Sequence, residues 1–398
     1  MDLLIKTAQS NISDPQSAGR DVAEKALAKL AGKPPTFALI FSSAGYDQKK
    51  LFEGIGEVLN NVPMSGCTGE GIITSQGSDE GSAIVSLMLF SGKDLSIHNF
   101  LATGLEKHSY QSAQEIVKKI NKIKRKSNST IFLLADSMTV NTTEVFRAFE
   151  EDLSEPTLIL GGTAGDMMQF NETYQFHDGK VYQDALSVVF MTGDYGFDFF
   201  VSHGCEEIGL IQTVTKSNAN SIVEIDGKPA WDSFRDYLPG NPSDFKAEDA
   251  FHLCLGELHH LESPCGEQLI IRMPVGLVKN TGAVKFSVEI PEGTEIRFTR
   301  RDPQIIAEKV ICGFKALIER NEGKKPIAVF QYDCAGRGRA IYDRCLNEAI
   351  FEPLKKLLGP ETPWIGFHTY GEIAPLCGKV FFHNFTAVIG IMFEEVSR

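Results

Sequence analysis

The chain has 398 residues, of which 42% are hydrophobic and 23% are charged, and its formal net charge is −13. This length allows two or three domains that each bury a core, and the composition is that of an ordinary globular protein. The negative charge argues against a general nucleic-acid surface, because phosphate binding needs clustered lysines and arginines.

Localisation can be predicted from three features. Met1–Lys6 lacks the pattern of a signal peptide, and no apolar run approaches the length of a membrane span. Eight cysteines at irregular spacing indicate reduced, mostly buried thiols instead of a disulfide framework. We therefore expect a cytoplasmic protein that does not bind membranes.

The first hundred residues predict alternating strands and helices. Asp14 is a suitable N-cap, and Pro15 fits the first helical position, where its missing N–H costs nothing. The predicted elements are strand Leu3–Ala8, helix Pro15–Ala31, strand Thr36–Ser42, helix Asp47–Asn60, strand Pro63–Cys67 and the extended runs Gly81–Phe90 and Leu95–Leu101.

The next hundred residues predict the same order of elements. Ser109 is the predicted cap of a helix over Tyr110–Lys126, and residues 177–180 suit a hairpin turn. The other predicted elements are strand Thr130–Ala135, helix Thr142–Leu153 and strands Thr157–Leu160 and Ala185–Thr192.

An insertion between Val201 and Gly282 fits neither neighbour, and a third stretch of the same kind follows it. The insertion predicts strand Ser221–Ile225, a turn at 226–229 and helix Ala230–Tyr237, followed by an alternating strand over Gly266–Val275. The later predictions are strands Ala283–Ile290 and Thr294–Thr299, helix Pro303–Glu319, strand Pro326–Tyr332, helix Tyr342–Leu358 and strands Trp364–Phe367 and Phe385–Phe393.

These patterns predict an α/β fold with mixed sheets, because strands alternate with helices but also occur in consecutive pairs. It is built from three related strand-helix-strand-helix-strand-strand repeats. We predict an N-terminal domain over 1–220, with repeats at about 1–103 and 104–205. The predicted C-terminal domain covers 221–398, with the insertion at about 206–282 and the third repeat at 283–398.

Each repeat contains a glycine-rich turn that ends in an acid: Gly66–Glu70, Gly162–Asp166 and His368–Glu372. Glycines let backbone N–H groups approach a ligand, and a threonine hydroxyl can bond the same ligand. N–H groups for a carboxylate and an acid for an ammonium group suit an amino acid or a similar small zwitterion. Alternatively, the turns only connect strands and the acids face water. None of them is a phosphate or dinucleotide loop.

The motifs resemble those of one known family. Phe41-Ser42-Ser43, the turn at 66–71, Val223–Ala230 and Gly366–Ile373 occur in the order of the FIST family, and residues 334–337 and 383–386 resemble its C-terminal domain. The resemblance implies a FIST N-terminal and a FIST C-terminal domain. It further implies a sensory module that binds a small ligand, proposed to be an amino acid, and signals through a partner protein.

Nine residues are predicted to bind the ligand: Thr68, Glu70, Cys334, Arg337, Tyr370 and Glu372, followed by Cys67, Asp166 and His368. Arg337 and the turn N–H groups would hold an anion, Glu372 a cation or a water, and Tyr370 would supply an aromatic surface and a hydroxyl. Alternatively, Arg337 forms a surface ion pair with Glu348 or Asp343. No cofactor is expected.

Two other functions stay open at this point. Cys67 or Cys334 could be the nucleophile of a hydrolase or amide-processing enzyme if His368 or His383 supplied a base, although free cysteines are usually buried and inert. The other open function is an interaction scaffold that binds no ligand. The potential zinc ligands His252, Cys254, His259, His260 and Cys265 lack a paired Cys-x-x-Cys knuckle, so we expect His259 and His260 on an exposed turn and no metal.

Overall fold

The computed structural model describes residues 2–238, 253–261, 267–278, 281–359 and 361–395. It divides into two compact units. The major unit comprises Met1–Ser202, Ile311–Phe382 and Ala387–Arg398, and the minor unit comprises His203–Val310 and His383–Thr386. The fold is mixed α/β with several mixed sheets, as the sequence predicts. The division into an N-terminal domain over 1–220 and a C-terminal domain over 221–398 stays a prediction.

The first 202 residues form thirteen strands and four helices in the described part of the chain. The strands are β1 (Leu3–Ser10), β2 (Phe37–Ser43), β3 (Met64–Gly69), β4 (Ile72–Thr74), β5 (Gly77–Asp79), β6 (Val85–Gly92), β7 (Leu95–Thr103), β8 (Asn128–Ala135), β9 (Leu158–Thr163), β10 (Gln175–His177), β11 (Lys180–Tyr182), β12 (Ala185–Gly193) and β13 (Tyr195–Ser202). The helices are α1 (Pro15–Ala28), α2 (Gln48–Val58), α3 (Leu105–Ile120) and α4 (Thr142–Asp152).

The following residues continue this numbering. The next elements are β14 (Glu206–Asn218), β15 (Ser221–Ile225), β16 (Lys228–Pro229), α5 (Ala230–Arg235), β17 (Leu253–His260), β18 (Glu267–Arg272), β19 (Pro274–Val278), β20 (Ala283–Phe286), β21 (Glu295–Arg300) and α6 (Pro303–Glu319). The last are β22 (Pro326–Cys334), α7 (Arg339–Tyr342), α8 (Glu352–Leu358), β23 (Trp364–Thr369), β24 (Gly371–Leu376), β25 (Lys379–His383) and β26 (Ala387–Glu394).

The major unit holds three six-stranded sheets with one shared pattern. Their strand orders are β1-β6-β2-β3-β10-β11, β7-β12-β8-β9-β24-β25 and β13-β26-β22-β23-β4-β5. Each sheet contains a parallel pair, which is β2 with β3, β8 with β9, or β22 with β23. The last two strands of each sheet come from a distant part of the chain, so the three sheets exchange hairpins.

The inner faces of the three sheets share one apolar core. Phe132 and Phe330 pack with ring centroids 4.7 Å apart, and Phe41 and Phe367 pack at 4.6 Å. These four rings are buried and belong to one continuous cluster that includes side chains of all three sheets. Helices α1 and α2 pack on the first sheet, and α3 and α4 pack on the second. The core therefore fixes the ends of the strands where the glycine turns begin.

Two predicted helices differ from the structure. Helix α3 begins at Leu105, after Gly104 at a φ of 77°, and is kinked at His108, whose φ of −139° and ψ of 36° are not helical. Ser109 follows this kink and does not cap the start of the helix, so the predicted cap is wrong. The Ser109 hydroxyl instead donates to the Leu105 carbonyl inside the helix. The helix predicted over 342–358 is broken, because Asp343 has a left-handed φ of 49° and only α8 is regular. A π-helical segment covers Asn347–Phe351.

The hairpins β4–β5 and β24–β25 and the strands β13, β14 and β17 were not predicted from the sequence. The two hairpins pair with strands far away in the chain, so no local pattern marks them. His259 and His260 end strand β17, so the exposed turn predicted for them is wrong.

The minor unit is built on an eight-stranded sheet in the order β18-β17-β21-β14-β15-β20-β19, with β16 paired to β15. Its core includes Val214, Phe234 and Phe298, and the rings of the last two make an edge contact at 4.9 Å. A buried ion pair lies in this sheet, where Arg272 Nε donates to Glu257 Oε2 at 2.6 Å.

Within the ranges described above, no helix has both the length and the apolar character needed to cross a membrane. The thiols of Cys67, Cys254 and Cys334 are buried, whereas those of Cys312 and Cys345 are exposed. Cys377 is disulfide-bonded, so the expectation of reduced thiols throughout is wrong at that position.

Candidate functional site

The three glycine turns meet in the major unit. We call Gly66–Glu70, Gly162–Asp166 and His368–Glu372 together the turn junction. Backbone hydrogen bonds join the turns in a cycle: Glu70 N donates to His368 O at 2.9 Å, Gly165 N to Thr68 O at 3.1 Å, and Tyr370 N to Thr163 O at 3.2 Å. The turns meet because each leads into a hairpin that crosses to another sheet.

Three predicted site residues, one from each turn, form a polar cluster at the junction. The Tyr370 hydroxyl lies 2.6 Å from Asp166 Oδ1 and 3.1 Å from Glu70 Oε2. The backbone N–H of Met168 donates to Glu70 Oε2 at 2.8 Å and to the Tyr370 oxygen at 2.7 Å. Two carboxylates therefore share one phenol, which has a single proton to donate.

The two carboxyl groups have opposite pKa shifts. Burial raises the pKa of Glu70, and the hydrogen bonds from Met168 and Tyr370 offset this only in part. Burial also acts on Asp166, but the Tyr370 hydroxyl and the backbone N–H groups of residues 170–172 lower its pKa. Burial and the bond to Asp166 raise the pKa of Tyr370, which therefore stays a neutral phenol. The result is an ionised Asp166 next to Glu70, which is the weaker acid of the two.

The loop after Asp166 has an unusual backbone. Met167, Met168 and Phe170 have φ values of 62°, 57° and 51°, in the left-handed region that non-glycine residues seldom occupy. The Asp166 carboxylate holds the loop by accepting bonds from the N–H groups of 170, 171 and 172 at 2.9, 2.6 and 3.0 Å. Phe170, 55% exposed, stacks on Tyr370 at 4.7 Å. Such strain persists only where the surroundings impose it.

His368 connects the junction to a neighbouring cavity. Its side chain is completely buried, and Nε2 lies 2.7 Å from the hydroxyl oxygen of Ser78 on β5. Its Nδ1 has no hydrogen-bond partner among the described residues. The backbone of His368 is also part of the junction, because its N–H donates to Gly71 O at 2.9 Å.

Ser78 lies in the lining of a polar cavity of about 500 Å³. The lining residues come from the β5 hairpin and from the segment after β22, and they are Ser78, Asp79, Glu80, Arg339, Asp343, Arg344, Leu346 and Asn347. Glu80 Oε1 accepts a bond from the backbone N–H of Arg339 at 2.7 Å. Within the described part of the chain, the guanidinium groups of Arg339 and Arg344 form no ion pair. Both signs of charge therefore face one cavity large enough for a small metabolite.

Arg337 lies inside the protein, apart from the lining of this cavity. Its side chain is fully buried, and Nε donates to Asp333 Oδ1 at 2.8 Å. The surface ion pair with Glu348 or Asp343 is therefore wrong, since the partner is a strand residue. Cys334, between these two, is 4% exposed. The pair fixes the start of the segment that carries Arg339 and Arg344.

The other predicted site residues face inwards. Cys67 belongs to the common core, and burial raises the pKa of its thiol, which disfavours the thiolate that a nucleophile needs. The Thr68 hydroxyl accepts a bond from Tyr174 N at 3.1 Å. Glu372 is completely buried and accepts a hydrogen bond from the Thr369 hydroxyl. These contacts hold the turns in place.

Of the proposed zinc ligands, His252 and Cys265 lie outside the described residues. His259 Nε2 lies 3.0 Å from Glu257 Oε1, and His260 Nε2 lies 2.7 Å from Glu295 Oε2. Among the residues that the structure describes, no three His, Cys, Asp or Glu side chains are grouped so that they could hold a metal ion.

Sequence reasoning missed most of the cavity. Ser78, Asp79 and Glu80 follow the first turn by only a few residues, but they lie on a hairpin that pairs with a strand of the third sheet. One sequence signal pointed to a polar surface here. Charged residues lie before and after Tyr342, where a helix was predicted to begin: Arg339 comes before it, and Asp343 and Arg344 follow it.

Comparison with known proteins gives two family matches. Residues 36–228 match the FIST N domain, and residues 230–375 match the FIST C domain. An uncharacterised protein of Mycobacterium bovis is 24% identical over 392 residues, which cover 96% of this chain and 97% of the relative. A protein of Methanocaldococcus jannaschii is 23% identical over 415 residues, with 96% and 78% covered.

Among solved structures, the cyanuric acid hydrolase from A. caulinodans has a TM-score of 0.30 and 9% identity, with 48% of this chain and 71% of that chain covered. A TM-score this low carries no argument. FIST domains are recognised as sensory domains of signal transduction. The two domain matches together extend over most of the sequence, in the order in which its motifs occur, and the chain belongs to the FIST family.

Proposed function

We propose that this protein is a sensor that binds an amino acid or a related small polar metabolite in the cavity beside the turn junction. The observation that carries the proposal is the charge of the lining: two arginines without an ion pair among the described residues lie with three acids around one volume of about 500 Å³. A guanidinium matches a carboxylate, and an acid matches an ammonium group.

Contacts of the cavity lining connect the proposed ligand site to the turn junction, and binding would affect the junction through them. Ser78 bonds the His368 imidazole, and Glu80 interacts electrostatically with Glu70, whose pKa it helps to raise. A ligand ammonium group beside Glu80 would reduce that repulsion and favour ionised Glu70. The charge of the Glu70–Tyr370–Asp166 cluster, and with it the strained loop, would then respond to the ligand.

A partner protein is proposed to receive the signal. Phe170 and Met168 supply apolar surface at the loop, being 55% and 39% exposed. Both residues belong to the strained segment that Asp166 and Glu70 hold by backbone bonds. A change at the cluster would therefore alter the surface that a partner meets.

A thermal-shift screen of the purified protein against amino acids tests the binding proposal. A ligand at a hundred times its dissociation constant adds about 2.7 kcal/mol to the free energy of unfolding. We expect a selective shift that Arg339→Ala and Arg344→Ala abolish. Arg147→Ala is the control, because Arg147 is exposed on α4 and pairs with Glu144. A shift that survives both cavity variants, or no shift with any compound, would refute the proposed site.

A further inference from the structure

The cavity lining contains a hydroxyl and an imidazole in the geometry of a nucleophile and its base. Ser78 Oγ lies 2.7 Å from His368 Nε2, within the distance at which a base takes a hydroxyl proton. Ser78 is half-buried on the cavity wall, whereas His368 is completely buried behind it. A molecule in the cavity can therefore contact Ser78 without displacing the ring.

Both groups are held firmly. The side chain of Asn347 clamps the backbone of Ser78, because Oδ1 accepts from Ser78 N at 2.8 Å and Nδ2 donates to Ser78 O at 3.0 Å. The His368 ring makes an edge contact with Phe351 at 6.5 Å, and its backbone N–H is bonded to Gly71 O. Groups held this way need little reorganisation before they react.

Among the described residues, no acid orients the imidazole. His368 Nδ1 is buried and has no hydrogen-bond partner among the residues described, whereas the histidine of a catalytic triad donates this N–H to a carboxylate. Replacing that carboxylate by an amide in a serine protease lowers kcat about 10⁴-fold. A pair of this kind should therefore be slow, and it should act on esters, whose alcohol leaves easily, and not on amides.

Two arginines of the cavity lining, which also holds Asp79, Glu80 and Asp343, favour an acyl group with an anionic end. Arg339 and Arg344 line the same cavity as Ser78, and neither forms an ion pair within the described ranges. Guanidinium groups bind carboxylates, so an acyl group with a second, anionic end can be held by an arginine while its carbonyl carbon reaches Ser78.

We propose that Ser78 and His368 form a catalytic pair that hydrolyses small esters carrying a carboxylate. Ser78 Oγ forms a bond to the carbonyl carbon as its proton passes to His368 Nε2. The bond from that carbon to the alcohol oxygen then breaks, and the proton is transferred to the leaving alcohol. Water next attacks the acyl-serine with His368 as base, which releases the acid and restores the Ser78 hydroxyl. This activity uses the cavity of the proposed sensor but does not require a sensory ligand.

The test compares two activated esters, p-nitrophenyl hemisuccinate and p-nitrophenyl acetate. Release of nitrophenolate is followed by absorbance, and acylation is followed by the intact mass of the protein. We expect a burst of one nitrophenolate per chain and one succinyl group mapped to Ser78. Ser78→Ala should abolish both, and His368→Gln should slow acylation by about 10²-fold or more. Ser82→Ala is the matched control on the exposed loop after β5.

The arginines supply a second readout. Arg339→Ala and Arg344→Ala should raise KM for the hemisuccinate by a larger factor than KM for the acetate, which a purely structural role would not produce. The proposal is overturned if the burst persists in Ser78→Ala, if the acyl group maps elsewhere, or if His368→Gln, with an unchanged thermal midpoint, reacts like the native protein. Amino-acid binding in Ser78→Ala is measured separately, so the sensor and the esterase can fail independently.

Discussion

At the scale of single residues, the environments of Glu70 and Asp166 explain why two neighbouring acids differ. Asp166 accepts three backbone N–H bonds besides the phenol, and its pKa falls. Glu70 accepts one backbone N–H and a longer bond from the same phenol, so burial dominates and its pKa rises. The sequence predicted all three members of this cluster, because each lies in or beside a glycine turn.

Asp166→Asn should destabilise the protein by about 1–3 kcal/mol, because an amide replaces an acceptor-only carboxylate opposite three N–H donors. The lowered pKa of Asp166 means that its contribution to stability is present above the unfolded value of 3.8 and is lost as the pH falls through the folded value. Urea unfolding at about pH 7 and at about pH 3 measures both effects.

The control for this variant is Asp194→Asn, since Asp194 is exposed and bonds only the Ser127 hydroxyl among the described residues. It should change stability by less than about 0.5 kcal/mol. Equal losses in the two variants, or a loss in Asp166→Asn that is as large in acid as at neutral pH, would contradict the account.

At the scale of elements, the sequence was most informative where local signals were complete. The sequence predicted α6 over Pro303–Glu319, and the structure has the same bounds. The helix predicted after β22 was wrong, because Asp343 has a left-handed φ and a π-helical stretch interrupts the helical pattern. The cavity-lining residues Arg339 and Arg344 lie in that irregular segment, so the prediction was weakest where the candidate site lies.

Arg337→Met tests what anchors this segment. The variant keeps an apolar stem but leaves Asp333 buried without its cation, which typically costs about 3–5 kcal/mol. Urea unfolding should show this loss, whereas Arg339→Met, an exposed neighbour two positions later, should change stability by less than about 0.5 kcal/mol. Similar stabilities in the two variants would mean that the buried pair does not anchor the segment.

At the scale of the whole molecule, the mixed α/β class followed from alternating patterns, but the assembly of the sheets did not. Strands β4 and β24 each pair with a strand of another sheet, to which no pattern in their own sequence points. The turn junction exists because of these exchanges, so the sequence could predict its residues without predicting that they meet. The relation among the three repeats stays a prediction.

Glu257 gives the minor unit its own response to acid. Burial would raise its pKa, but the charge of Arg272 and the bond to His259 lower it to about 2. This contribution to stability is present above the unfolded value of 4.5 and is lost as the pH falls through about 2, a change on the order of 3 kcal/mol.

Hydrogen-exchange protection of β17 should therefore fall over this pH range in the native protein and be lower and nearly flat in Glu257→Gln. Glu295→Gln is the control, because Glu295 lies on the adjacent β21 but is half exposed. A similar acid-induced loss of protection in Glu257→Gln and in the native protein would refute the role of this carboxylate.

The exchange of hairpins also sets the order in which the newly made chain can fold. The β4–β5 hairpin leaves the ribosome early, but its partner strand β23 follows about 300 residues later. At translation rates of 5–20 residues per second, the hairpin waits roughly 15–60 s for the strand that completes its sheet. During this time its unpaired edge is open to other chains. Strand β23, made about 300 residues after the first glycine turn, thus completes the sheet that this turn leads into, so the site is finished only once the third turn has been synthesised.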